Sequence, residues 1–115
     1  MQRKLTTIVA MDFVGYSRLM ERDESGTLDR LRDLRTRVLD PVVASHSGRI
    51  VKLMGDGTLL EFGSVVSALQ CAIDIQESLG SENAPLPEGH RLDLRIGVHL
   101  GDVVVDGDDI YGDGV

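Results

Sequence analysis

Residues 49–62 read Arg49-Ile50-Val51-Lys52-Leu53-Met54-Gly55-Asp56-Gly57-Thr58-Leu59-Leu60-Glu61-Phe62. Two short apolar runs flank a Gly-Asp-Gly step. Asp-Gly between such runs signals a tight hairpin, because the favoured two-residue turn needs positive φ at its centre. Arg49–Met54 and residues 58–62 are therefore predicted as paired antiparallel strands. What flanks this hairpin sets the fold class.

Upstream, residues 5–11 form a short apolar run around Ile8, Val9 and Met11, read as a buried strand ending at Asp12. Gly15 turns the chain, and a short helix is predicted from Tyr16 to Arg22. Glu24, Ser25 and Gly26 interrupt it. A longer helix is expected from Thr27, with Thr27 as its N-cap. Leu28, Leu31, Leu34, Val38 and Val42 recur at helical spacing along it. Pro41 is expected to kink it or end it early, and Ser47-Gly48 stops it.

Downstream, Ser64 is a candidate cap for a helix whose apolar stripe is read as Val65, Leu69, Ala72, Ile73 and Leu79. Residues 83–89, with Pro85 and Pro87, read as a loop. Residues 92–100 alternate: Leu92, Leu94, Ile96, Val98 and Leu100 face one way, and Asp93, Arg95, Gly97 and His99 the other. Gly101-Asp102 is read as a turn before a further strand at 103–105. The order β-α-α-β-β-α-β-β predicts an α+β fold, a ferredoxin-like βααββαβ sandwich core with a largely antiparallel sheet. That core is complete by about Leu100. Residues 1–115 are expected to be one domain, partial and incomplete at the C-terminus.

Composition narrows the function classes. The chain of 115 residues has 42% hydrophobic residues and only 3% aromatics, so an aliphatic core is expected. Its formal net charge is -7, which argues against a nucleic-acid backbone as partner. A nucleotide needs only a few basic groups and metal. No apolar run approaches the ~18 residues of a membrane span, nor does the start resemble a signal peptide. A cytoplasmic location is the default. Cys71, the lone cysteine, excludes an internal disulfide and reads as a core thiol.

The chemistry gathers at strand ends. Asp12 closes the first strand, and Asp56 sits at the hairpin tip. A βαββαβ sheet can set these elements side by side, so the two carboxylates can converge. Hard oxygen ligands suit Mg²⁺ or Mn²⁺, which complete their shells with water and phosphate. Taken singly, a strand-end Asp is more often a cap and an Asp-Gly more often a turn. Their context is Asp12-Phe13-Val14-Gly15-Tyr16-Ser17 and Lys52-Leu53-Met54-Gly55-Asp56-Gly57. Backbone amides after Gly15 can face phosphate oxygens, and Ser17 can add a hydroxyl. Lys52 alone reads as a snorkelling strand lysine. Arg95 alone reads as a structural ion pair with Asp93 or Glu61, and His99 as a satisfied strand histidine. The acidic run at 106–113 lacks the Glu that a calcium loop requires.

In combination these motifs resemble the catalytic domain of class III nucleotidyl cyclases, the adenylyl and guanylyl cyclases, over nearly the whole chain. By that resemblance Asp12 and Asp56 are the two metal-binding aspartates, with Phe13 beside Asp12 in the metal set. Gly15, Tyr16 and Ser17 complete the Asp-x-x-Gly-aromatic-Ser pattern on the substrate side. Lys52 matches the adenine-selecting lysine and Asp109, in Asp109-Ile110-Tyr111-Gly112, its partner. Arg95, in Arg-x-Gly-x-His-x-Gly, matches an arginine that contacts the terminal phosphates. The resemblance implies an adenylate cyclase using two Mg²⁺ or Mn²⁺ ions, with composite sites across a homodimer. It also implies an Asn-x-x-x-Arg motif just beyond Val115, which this sequence lacks. A truncated, non-catalytic nucleotide-binding or dimerisation module is the alternative, and a guanylate cyclase a lesser one.

Overall fold

The computed structural model describes residues 2–54, 57–106 and 109–111, with side chains at 4–53, 57–87 and 89–101. The elements run β1 (Gln2–Phe13), α1 (Tyr16–Arg22), α2 (Glu24–Leu34), a π-helical segment (Arg35–Leu39), α3 (Asp40–Ser45), β2 (Arg49–Met54), β3 (Gly57–Phe62), α4 (Val65–Asn83), a 3₁₀ turn (Glu88–His90), β4 (Leu94–Asp106) and β5 (Asp109–Tyr111). The strands form one sheet in the order β2-β3-β1-β4-β5, and every described pairing is antiparallel. This is the expected α+β ferredoxin-like arrangement, with β1 at its centre.

Strand alternation divides β1 between two environments. Val9, Met11 and Phe13 enter the main core with Leu60, Phe62, Leu92 and Leu94. Against them pack Leu31, Leu34, Val38, Leu39 and Val43 of the long helix and Ala68, Cys71, Ile75 and Leu79 of α4. The opposite sheet face carries a small cluster of Ile8 and Leu59 with Val51 packed on it. The core is mostly aliphatic, and both phenylalanines are inside it. Gly48 leads the chain into β2 beneath Phe62; a Cβ there would lie 2.4 Å from the Phe62 ring.

Local structure departs from the sequence reading in five places. The second helix begins at Glu24, not Thr27. The Asp23 carboxylate accepts from the Gly26 N–H at 3.0 Å and is the cap, favoured by the positive helix end. Thr27 is instead buried, and its hydroxyl donates to the Leu19 carbonyl at 3.0 Å, tying α2 to α1. Pro41 does not end the helix. A π turn precedes it, in which the Asp40 N–H reaches the Arg35 carbonyl, and Pro41 sits in the first turn of α3 where no N–H is required.

The buried stripe of α4 is Ala68, Cys71, Ile75, Leu79 and Asn83; Leu69 and Ile73 are exposed. This helix has two apolar stripes, and periodicity cannot choose between them. The small Ala68 and Cys71 side chains let the helix approach the sheet closely. Burial, then the nearby Asp74 charge, pushes the Cys71 thiol up to about 11, as expected of an inert core cysteine. Gly101-Asp102 is not a turn, because β4 runs through it to Asp106 while paired with β1. Asn83 does not open a loop. It ends α4, donating to the Leu92 carbonyl at 2.7 Å and accepting from the Leu92 N–H at 3.0 Å. Gln76 donates to the Leu94 carbonyl at 3.0 Å. These two amides pin the start of β4 to the helix.

One carboxylate anchors the open face away from the functional end. Glu61, 7% exposed at the side chain, receives Arg49 Nε and Lys4 Nζ at 2.8 Å each. Burial pushes its pKa up, but hydrogen bonds from Lys4, Thr6 and Arg49 outweigh that and hold it below the ordinary 4.5. A depressed folded pKa stabilises the protein above the unfolded value and is lost on acidification. Chemical denaturation should therefore show stability falling as the pH drops below 4.5, and Glu61→Gln should flatten that slope while costing about 1–3 kcal/mol at neutral pH. Asn83→Ala should cost a similar ~1–3 kcal/mol, because it strands both backbone groups of Leu92; an unchanged unfolding midpoint would show that they find other partners.

Candidate functional site

The site is built by register. In antiparallel pairs, residues opposite one another share a face. Asp12 lies opposite Gly57 of β3 and Arg95 of β4. The next rung on that face runs Lys52, Leu59, Ala10, Gly97 across β2, β3, β1 and β4. Asp12, Arg95 and Lys52 therefore stand on one sheet face in adjacent rungs, on the side away from the helices. A register shift between Ile50 and Lys52 brings Lys52 into this rung; Val51 turns to the Ile8–Leu59 cluster. With strands about 4.8 Å apart, Lys52 stands roughly 10 Å from β1.

Asp12 and Arg95 form a forked ion pair. Arg95 Nε meets Asp12 Oδ1 and Nη2 meets Oδ2, each at 2.9 Å. The arginine side chain is 69% exposed and the aspartate 39%. Around them opens a depression of about 480 Å³, lined by Ala10, Asp12, Gly57, Leu59, Arg95 and Gly97 among others. Its floor is small residues: a Cβ placed on Gly97 would meet nothing within 4 Å. Sequence reasoning placed Gly97 on this face but missed Ala10 and Gly97 as the floor. The signal was there, since Gly97 is the small residue between Arg95 and His99 on an alternating strand. Gln76 and Asn83, which hold the start of β4 and so the position of Arg95, gave no sequence signal beyond their spacing on α4.

The remaining expected residues divide. Gly15 adopts φ 70° as the residue before α1, a conformation that favours glycine. The Val14 N–H bonds the Asp93 carbonyl at 2.9 Å, extending the β1–β4 pairing to the turn. Tyr16 leans on the main core and Ser17 is exposed. The Phe13 side chain is buried in the core, so a ligand could meet Phe13 only through its backbone. Asp56 lies outside the described residues; Gly57, the next residue, is the one opposite Asp12. Asp109 begins β5, at the edge of the sheet opposite β2, yet β5 comes into contact with β2, the strand of Lys52. The Asp109 side chain lies outside the described set. Among the described residues no three His, Cys, Asp or Glu side chains converge as a metal cluster.

Chemically the site offers a carboxylate that already attracts a cationic group through both oxygens. Those two oxygens are hard donors of the kind Mg²⁺ or Mn²⁺ takes, and the adjoining floor leaves room for a ligand. No helix among the described residues is long and apolar enough to cross a membrane.

Known proteins share this fold. The chain matches no protein-family model. It is 49% identical over 114 residues to a Rhizobium meliloti protein designated adenylate cyclase 3, covering 99% of this chain and 19% of that protein. It is 30% identical over 101 residues to an adenylate cyclase of Streptomyces coelicolor, covering 88% of this chain and 25% of the relative. The chain thus spans about a fifth to a quarter of the curated relatives' lengths. Its fold superposes on the crystal structure of an adenylate/guanylate cyclase/hydrolase from Silicibacter pomeroyi with TM-score 0.91 and 42% identity, over 97% of this chain and 65% of that one. With motif order, sheet topology and these similarities in agreement, the chain belongs to the class III adenylate/guanylate cyclase family over the region it spans.

Proposed function

We propose that this chain is part of an adenylate cyclase catalytic domain that converts ATP to 3′,5′-cyclic AMP and pyrophosphate for intracellular signalling. The observation that carries the reading is the pair of adjacent rungs, Asp12–Arg95 and Lys52–Gly97, on one open face of a cyclase-family sheet. In this reading Asp12, Asp56 and the Phe13 carbonyl hold two Mg²⁺ or Mn²⁺ ions. When bound, such ions lower the pKa of the ribose 3′-hydroxyl and neutralise the triphosphate.

The protein's own residues position and compensate charge, which is where most phosphoryl-transfer catalysis resides. Arg95 pairs with the terminal phosphates. The amides following Gly15, with Tyr16 and Ser17, border the triphosphate. Lys52 donates to adenine N1, and Asp109 accepts from the 6-amino group. Guanine presents an O6 acceptor and an N1 donor instead, so this pair favours ATP. The contact between β5 and β2 supports a shared task for Lys52 and Asp109. Composite sites in a cytoplasmic homodimer complete the proposal, and residues 1–115 form part of one such domain.

The test is cyclic AMP formation by the full-length protein with ATP and Mn²⁺. Asp12→Asn should lower the rate by about 10²–10³ or more, and excess GTP should compete poorly. Undiminished activity in Asp12→Asn would refute the site, and preferred turnover of GTP would refute the base assignment. Nucleotide held without turnover would instead identify a non-catalytic binding module. Gly97→Leu should leave the melting temperature near wild type, because its Cβ enters open space. It should nevertheless weaken ATP binding about tenfold or more by filling the floor; unchanged affinity would place the nucleotide elsewhere.

A further inference from the structure

The sequence resemblance assigns Arg95 to phosphate, yet the structure holds it on Asp12. We propose that Arg95 is an exchangeable counter-charge: it occupies the cation position on Asp12 until metal displaces it, and the displacement frees it to bind the incoming phosphates. This rests on the reading of Asp12 as a metal ligand.

The geometry sets up the exchange. Both Asp12 oxygens are engaged by the guanidinium fork, at 2.9 Å each. A divalent cation bound directly to Asp12 draws on the same two oxygens, so the fork and the cation compete for one carboxylate charge. Leaving costs Arg95 little packing, because its side chain is 69% exposed. Asp12 has no such freedom, being fixed at the centre of the sheet between Gly57 and Arg95. The released guanidinium stays tethered at the rim of the depression, above the small floor of Ala10 and Gly97.

Two consequences follow. Without nucleotide, Arg95 competes with metal and keeps cation affinity low. With nucleotide, the phosphates give the displaced guanidinium a new anionic partner, so cation and triphosphate bind with positive coupling. Such coupling is reciprocal, each ligand raising the affinity of the other by the same factor.

The experiment measures Mn²⁺ binding to the full-length protein by electron paramagnetic resonance, with and without a non-hydrolysable ATP analogue. Arg95→Met should bind Mn²⁺ alone about tenfold more tightly than wild type, and the analogue should no longer enhance that binding. Arg95→Lys keeps the charge but cannot span both oxygens, so it should also tighten Mn²⁺ binding, by about threefold. Unchanged or weaker Mn²⁺ binding in Arg95→Met would overturn the proposal. Tightening in Arg95→Met with a wild-type value in Arg95→Lys would also overturn it, because only long-range charge would then be acting. Asp12→Asn should abolish the binding; retention of Mn²⁺ by that variant would instead overturn the metal assignment beneath the proposal. Circular dichroism of each variant confirms that the fold is kept.

Discussion

The antiparallel register of β1 with its two neighbours is the constraint on which the site depends. Asp12 faces outward only because Met11 and Phe13 face the core. A one-residue slip would bury the carboxylate and expose two core side chains, and pairing with period two leaves no intermediate. The same register puts Gly57 on one side of Asp12 and Arg95 on the other. Packing of the helices against one face thus determines the chemistry available on the other.

Much of this was legible in the sequence. Alternation from Leu92 to Leu100 correctly put Arg95, Gly97 and His99 on the face opposite the core. The Arg49–Phe62 hairpin and the order of elements led to the α+β sandwich. Less legible were choices that only tertiary packing makes. On α4 two apolar stripes compete, and the closer approach allowed by Ala68 and Cys71 decides between them. At the start of α2 two candidate caps compete, and the charged Asp23 wins. The continuity of β4 through Gly101-Asp102 comes from its long pairing with β1, a non-local cause that no local turn signal reports.

The site was legible as a set of residues rather than as a set of contacts. Motif order brought Asp12, Lys52 and Arg95 together, and the register agrees in giving them one face. It did not indicate that Arg95 would fold back onto Asp12, since that pairing depends on two strands separated by most of the chain meeting at one rung. The bulge in β2 is similar: it brings Lys52 into the rung of Leu59 and Ala10, and nothing in the local sequence marks it. In an acidic chain of net charge -7, two of the twelve Lys and Arg residues, Lys52 and Arg95, stand in adjacent rungs on the sheet face of Asp12.

The central claim is that the face around Asp12 is where cation and nucleotide meet. Paramagnetic broadening of backbone amide signals by substoichiometric Mn²⁺, with a non-hydrolysable ATP analogue present, tests it most directly. The account predicts that Asp12, Gly57, Arg95 and Gly97 broaden first, with His46 and Asp74, paired at 2.6 Å on the helical side, left sharp. Early broadening on the helical side, or broadening with no preference for the Asp12 rung, would contradict it.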